Sequence, residues 1–430
     1  MSEGSEVRGR GEVPASGAPR GFARSLKYVG PGLVVAATGV GAGDMVSSLS
    51  AGTGFGTVLV WAVVLGAVLK FALTEGLGRW YMATGRTILE GWKSLGKWAT
   101  VYFGVYLMIV TFVFGAAAVS SSALAVTAML PGVLPLWAWA VLHGVAGFLV
   151  VGFGRYKLFE RVMEVFVGLM FITVVGLAAL LAPNLGELAL GTVVPRIPDG
   201  SLLYALAIIG GVGGTFTLAS YPYWARERGW SRPEWIPTMR VDIGVGYVVT
   251  GLFMVAMLVI GAELLFASGE GIEGESGLVA LSDPISARFG GVAGAMFLVG
   301  FWAAATSSIF GAWNGGAYLF ADLVRTMKNV PDERAGEYLS EKSLWFRGFL
   351  AWMTFPPMVL LALGQPVLLI IIYASLGALF MPFLALTLLW LLNSSRTPRE
   401  HRSGWLSNVA LGGSLLLFAV LGANELTGAL

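Results

Sequence analysis

The chain has no cysteine, which excludes disulfides, zinc thiolates and thiol catalysis. Histidine is nearly as scarce. His143 and His401 are the only two, too few for a metal or catalytic cluster built on imidazoles. Charge is thin as well: Asp, Glu, Lys and Arg make up 12% of the 430 residues, about half the share of a soluble domain. Apolar residues fill the space at 56%, and mean hydropathy is +0.78. The composition is that of an all-α polytopic membrane protein. Sixty glycines fit this reading, because small residues let membrane helices approach closely. No nucleophile motif stands out, so no enzyme, catalytic residue or cofactor is expected, and no nucleic-acid partner. A passive channel needs a continuous polar pore, and the apolar segments offer few polar rings.

Residues 1–26 are polar and carry Arg8, Arg10, Arg20 and Arg24. They lack the apolar core of a cleaved signal peptide, and a disordered cytoplasmic tail is expected there. Residues 27–430 form the transmembrane domain. A spanning helix needs about 20 mostly apolar residues. Eleven segments qualify: 31–54, 57–83, 101–130, 134–153, 159–183, 202–224, 240–266, 290–321, 344–363, 366–392 and 404–425. Alternate connections hold most of the Lys and Arg, from Arg79, Arg86, Lys93 and Lys97 to Arg396, Arg399 and Arg402. The opposite loops hold Arg196 and Arg288, and the longest of them, 267–289, is acidic through Glu270, Glu273, Glu275 and Asp283. This asymmetry places the N-terminus in the cytoplasm of a multi-pass inner-membrane protein. Trp61, Trp80, Trp137, Trp139, Trp224 and Trp230 fall near segment ends, where interfacial anchors are expected.

Two apolar segments are interrupted by glycine. One reads GVGAGDM from Gly39 to Met45, and the other GGVGGTFT from Gly210 to Thr217. They open segments 1 and 6, so segments 1–5 and 6–10 form equal sets and the eleventh is left over. Five is odd, so the two sets have opposite orientation and make an inverted repeat. Paired interruptions of this kind mark transporters with discontinuous helices around a midplane site. Each interior glycine costs a helix about 1 kcal/mol relative to alanine, so both segments should unwind locally. Unwound backbone is tolerated in a bilayer where protein buries it or where it lines a cavity. Its carbonyls can hold a cation, and half-helix N-termini an anion. The alternative is close helix packing through a small-residue face.

Asp44 lies mid-segment beside the first break. A carboxylate there costs about 2.5–3.5 kcal/mol on insertion scales and needs a partner or a cavity. It serves as a cation ligand or proton acceptor, or it caps the second half-helix. Lys70 and Glu75 also lie within an apolar segment. Lys70 is expected to make a salt bridge or interhelical hydrogen bond, and Glu75 to snorkel or pair with Arg79. His143, alone on segment 4, is expected in a packing role rather than as a proton relay. Ser120, Ser121 and Ser122, with Thr306, Ser307, Ser308 and Asn314, either line a polar path or act as glue between helices.

The run GPGLVVAATGVGAGDMVSSLSAGTGFG from Gly30 to Gly56 resembles the first helix of the Nramp (natural resistance-associated macrophage protein) divalent-metal transporters. Those read GPG, eight residues, DPGN and then L-x-A-G-x-x-F-G. Segment 8 carries AAATSSIFG, from Ala303 to Gly311, similar to the family's AGQSSTITG, and segment 10 has Met381-Pro382-Phe383 for L-P-F. The resemblance runs through all eleven segments in order. It implies a LeuT-like fold, five plus five helices in inverted repeat with an eleventh. It also implies alternating access and a substrate site between helices 1 and 6.

The departures fall on the metal site. DPGN becomes Gly41-Ala42-Gly43-Asp44, so the ligand Asp is replaced by Gly41 and the ligand Asn by Asp44. The family's A-x-x-M-P-H becomes Gly211-Val212-Gly213-Gly214-Thr215-Phe216, losing the thioether and the His. Helix 3 has no carboxylate, and Ala374 replaces a glutamine of helix 10. Soft sulfur favours transition metals, whereas a wider oxygen-lined site suits a partly hydrated ion such as Mg²⁺. The leading expectation is a carrier of a divalent cation of the Mg or Mn class, with Asp44, Gly41 and Gly211 as ligands. Ala42, Gly214, Thr215 and Thr217 complete the substrate site. The alternative substrate is a small organic solute such as an amino acid, held by the same glycine-rich helices.

Overall fold

The computed structural model describes residues 18–19, 21–266, 277, 279–363 and 366–428. Every one of the eleven segments is helical. We number them α1 to α11. The first is split into α1a, Pro31–Gly39, and α1b, Ala42–Phe55. Then come α2, Val60–Thr84; α3, Lys97–Met129; α4, Leu136–Phe153; and α5, Tyr156–Leu180. The sixth is also split, into α6a, Leu202–Gly211, and α6b, a 3-10 turn Phe216–Ser220 that continues as the helix Tyr221–Glu227. The rest are α7, Ile236–Leu264; α8, Gly291–Met327; α9, Leu344–Leu363; α10, Pro366–Asn393; and α11, Trp405–Gly428.

Nine helical stretches among the described residues are long and apolar enough to cross a membrane. Eleven segments become nine stretches because Gly43–Thr84 joins α1b to α2 through a turn, leaving out the short half-helix α1a, and because α10 enters only as the shorter apolar helix Leu379–Asn393 among the described residues. The nine residues of α1a cover about 14 Å, half of a hydrocarbon core about 30 Å thick. The break therefore falls near mid-membrane. Pro31 at the first position suits a helix start, since its missing N–H has no intrahelical partner there anyway.

The two breaks differ in form. In the first, Val40 and Gly41 are extended, and Ala42 already begins α1b. In the second, the chain leaves the helix at Val212, and Gly213 (φ +80°) and Gly214 (φ +78°) are left-handed. A side chain there carries a penalty that glycine avoids.

Helix α7 forms the spine of the bundle, packing on α1a, α1b and α2, while α8 packs on α3, α5 and α1a. Small residues make these approaches possible: Gly52 of α1b lies on the α7 backbone at Leu258 and Ala262, and Gly261 of α7 lies on α1b.

Three of the tryptophans expected as interfacial anchors are instead interior. Trp80, Trp224 and Trp230 are at most 1% exposed. Trp80 donates to the Thr87 carbonyl at 3.1 Å, and Trp230 stacks on Trp235 at 5.4 Å. Trp137, at 60% exposed, is placed as an anchor would be. A π-turn at Phe171–Val175 interrupts α5, which composition did not signal. Residues 1–17 and 20 of the expected tail lie outside the described residues, as do Glu270, Glu273 and Glu275 of the acidic loop. Phe22–Ser25 is a helical turn, and Ser25 Oγ lies 3.3 Å from Thr238 Oγ1, an ordered stretch inside the expected tail.

Candidate functional site

The two breaks meet. A β-carbon on Gly39 would stand 2.6 Å from the Gly213 Cα, and one on Gly214 would stand 3.4 Å from the Gly39 Cα. Part of the glycine enrichment is therefore close packing, as the small-residue reading holds. The rest concerns what broken helices leave open. A helix end leaves its last carbonyls without partners, and in a bilayer each bare one costs several kcal/mol. Here side chains from elsewhere supply donors. Ser307 Oγ donates to the Ala37 carbonyl at 2.7 Å and Ser308 Oγ to the Thr38 carbonyl at 3.1 Å. Across the site, Lys70 Nζ donates to the Gly214 carbonyl. Lys70 thus has the interhelical hydrogen bond expected of it.

Asp44 is not the N-cap residue of α1b; Gly41 holds that position. Asp44 sits in the first helical turn and reaches back, its Oδ2 accepting the Gly41 N–H at 2.9 Å. A carboxylate at this position also complements the positive end of the helix dipole. The second oxygen points the other way. Oδ1 lies 2.9 Å from where a β-carbon of Gly211 would stand, against the backbone of α6a. Among the described residues Oδ1 takes no hydrogen bond, so one side chain both caps α1b and presents a bare oxygen toward α6a.

A cavity of about 260 Å³ opens at this junction. Gly41, Asp44, Gly211, Gly214, Thr215 and Thr217 all line it. Ala42 begins α1b alongside, and its side chain, like that of Ala374, lies outside the described residues. The aromatic lining was not foreseen from sequence. Phe114 of α3, Tyr373 of α10 and Phe418 of α11 supply it, with Tyr373 Oη 3.2 Å from Thr215 Oγ1. Nothing distinguishes these aromatics from the others of the chain until the helices are packed. Met381 also lines the cavity. A thioether missing from helix 6 thus stands on the wall from α10.

Asp44 is the one charged side chain among the described lining residues. Among the described residues no three His, Asp or Glu side chains gather as a metal cage. Among what the cavity offers are a carboxylate oxygen, hydroxyls from Ser47, Ser121, Ser308, Thr215 and Thr217, the Met381 thioether, peptide groups, and room for water.

The other singled-out polar residues divide. Ser121 and Ser308 line the cavity. Ser122 accepts from Thr306 Oγ1 at 3.3 Å, which is interhelical glue. Asn314 points away from the site, accepting from Trp224 Nε1 at 2.9 Å and donating to Glu341 at 3.4 Å. Glu75 is buried and bridges Arg79 at 3.1 Å and Arg240 at 2.8 Å. His143 is satisfied at both nitrogens: Nδ1 lies 2.7 Å from the Trp139 carbonyl, and Nε2 accepts from Trp302 Nε1 at 2.8 Å. That pattern fixes a neutral ring with its proton on Nδ1 and leaves no relay geometry.

One important residue was missed. Asp242 of α7 accepts the Gly30 N–H at 2.9 Å and the Gly32 N–H at 2.7 Å, and the Tyr221 hydroxyl donates to it at 2.8 Å. It caps α1a from another helix. Beside it, Arg228 pairs with Glu160 at 3.4 Å. A charged residue near the start of segment 7 was the available signal. Beyond the membrane-spanning segments, burial and the nearby Glu227 push the Glu341 carboxyl up from 4.5 to about 7.

Comparison with known proteins bears on this geometry. The Nramp family model, natural resistance-associated macrophage protein-like, matches residues 32–427. A divalent metal cation transporter MntH of Chromohalobacter salexigens is 25% identical over 276 residues, 62% of this chain and 63% of that one. MntH of Mycobacterium tuberculosis is 27% identical over 308 residues, 68% of this chain and 69% of that one. The match to the Chromohalobacter protein thus covers less than two thirds of that relative's length. The crystal structure of an Eremococcus coleocola manganese transporter, in complex with an aromatic bis-isothiourea substituted compound, is similar at TM-score 0.74 and 17% identity. It covers 96% of this chain and 90% of that one. A mutant of that transporter gives 0.73, covering 94% and 87%. The fold is accordingly the LeuT-like one, five plus five helices in inverted repeat with an eleventh and with the first and sixth broken.

Proposed function

Because the chain belongs to the Nramp family, we propose that it is a secondary active transporter of a divalent cation of the Mg or Mn class, working by alternating access. The observation that carries this reading is the bare Oδ1 of Asp44, held where two broken helices meet and facing a cavity. In the proposed site Asp44 ligates directly, and the peptide oxygens of Gly41 and Gly211 complete the inner coordination. Gly214, Thr215, Thr217 and the Ala42 peptide surround the ion and its remaining waters. Oxygen donors and a single carboxylate suit a hard, partly hydrated cation. The relatives described above are named for divalent metals or manganese, which supports the substrate class. None of them is named for an organic solute.

The Lys and Arg asymmetry supports a cytoplasmic N-terminus in an inner membrane. In that orientation the cap of Asp242 on α1a and the Arg228–Glu160 pair lie at the cytoplasmic end, and α1a is the element whose release opens the site inward.

The test is uptake by the purified protein in liposomes. Saturable Mg²⁺ or Mn²⁺ uptake is expected, lost in Asp44→Ala and in Asp44→Asn. Absence of saturable divalent uptake, or uptake indifferent to both substitutions, overturns the reading. An amino-acid panel run alongside decides the organic-solute alternative.

A further inference from the structure

Lys70 lies mid-way along α2 and is fully buried, with the Phe418 ring centre 5.6 Å from its ammonium. Its partner, the Gly214 carbonyl, is available because Gly213 and Gly214 turn out of the helix in the left-handed region. Carbonyls of unwound helices at mid-membrane are the groups that coordinate small monovalent cations in transporters of this architecture. Here an ammonium on a tether takes that place. A buried ammonium is stable when an anion shares its low-dielectric surroundings. Asp44, whose Oδ1 faces Gly211 three residues before the Gly214 carbonyl, is the charged side chain lining the neighbouring cavity among the described residues.

We propose that Lys70 is a tethered cation of the transport site. It occupies the coordination place that the helix-6 break would otherwise give to a co-bound sodium, potassium or ammonium ion, and it balances Asp44 while the site is empty. The consequence, divalent transport without a sodium or potassium requirement, rests on the cation-transport reading. The central claim concerns the empty protein. Lys70 acts as a positioning residue for the backbone at Gly214 and Thr215, and as the side chain of opposite charge to Asp44. A merely structural hydrogen bond makes a different forecast: small cations are then irrelevant to every variant.

The experiment uses the full chain in lipid nanodiscs with no divalent ion present. Melting temperature is read in methylammonium chloride and in NaCl, against choline chloride at constant ionic strength. The wild type is expected to be indifferent. Lys70→Ala, which vacates the ammonium's space, is expected to gain a saturable stabilisation of roughly 2 °C or more from methylammonium or sodium. Adding Asp44→Asn is expected to abolish that gain. Lys70→Met fills the space without charge and serves as the second variant. It is expected to be less stable than the Lys70→Met/Asp44→Asn pair, because the double change removes the uncompensated carboxylate. The proposal fails if folded Lys70→Ala ignores both cations, or if NaCl stabilises the wild type saturably. It fails too if Asp44→Asn does nothing for Lys70→Met, including the case in which neither folds. Because no divalent ion enters, these outcomes are independent of the liposome uptake result.

Discussion

Gly39 and Gly213 touch backbone to backbone, so that a β-carbon on the first would stand 2.6 Å from the Cα of the second. The two halves of the repeat are locked together at this point by the absence of side chains. Gly39→Ala is expected to destabilise the protein by about 1–3 kcal/mol through overpacking. Gly213→Ala adds about 1–2 kcal/mol for a left-handed alanine, and its methyl also meets Tyr247. Gly43 is the control. It lies in α1b with nothing within 4 Å of an added β-carbon, and Gly43→Ala should be neutral or stabilising by up to about 1 kcal/mol. Unfolding in detergent measures all three. Equal stability of Gly39→Ala and Gly43→Ala would remove the contact from the account.

The two oxygens of Asp44 can be tested apart. Asn keeps an acceptor for the Gly41 N–H, so Asp44→Asn should hold stability to within about 1 kcal/mol, whereas Asp44→Ala loses the cap and costs about 0.5–2 kcal/mol. Both should lose the divalent-dependent rise in melting temperature. A rise that survives in Asp44→Asn would show that the carboxylate charge is not part of the cation site.

Asp242→Ala leaves the N–H groups of Gly30 and Gly32 and the Tyr221 hydroxyl without their acceptor. Each buried donor left bare costs about 1–3 kcal/mol, so this should be among the most damaging single changes. Tyr221→Phe removes one bond to the carboxylate and should cost less, about 1.5–3 kcal/mol. Chemical denaturation ranks the two. A reversed order would mean that the cap on α1a is not what Asp242 supplies.

Glu341 gives a pH signature. Its carboxyl titrates at about 7 in the folded protein against 4.5 ordinarily, from burial first and Glu227 second. A raised carboxyl favours the protonated folded state. Its contribution is fully present below pH 4.5 and is lost as pH rises through about 7. Glu341→Gln stays neutral throughout, so it should match wild type at pH 4.5 and exceed it at pH 8. A stability difference that does not change across that range would contradict the assignment.

The helix count and the places of both breaks were legible in the sequence because they rest on short-range physics: apolar run length, and glycine density inside it. The cavity was legible on the side of α1 and α6, where Asp44, Gly211, Gly214, Thr215 and Thr217 line it. Its aromatic lining was not, since Phe114, Tyr373 and Phe418 come from three helices whose rotation is set by packing. The same limit misassigned Trp80 and Trp224: position near a segment end does not say whether a ring faces lipid or protein. Asp242 was missed because its partners, Gly30 and Gly32, are more than two hundred residues away in the chain.

Helix α1a is held at both ends by other helices rather than by its own continuation. Asp242 grips its first turn, and Ser307 and Ser308 grip its last carbonyls. It is in effect a stiff lever with a clasp at one tip and a hinge pin at the other. A rod of nine residues is about 14 Å long, so unfastening the Asp242 clasp and rotating about 20° on the serine pair would sweep the free tip through about 5 Å. Such a displacement would be confined to α1a and its two attachments, with the rest of the bundle left in place.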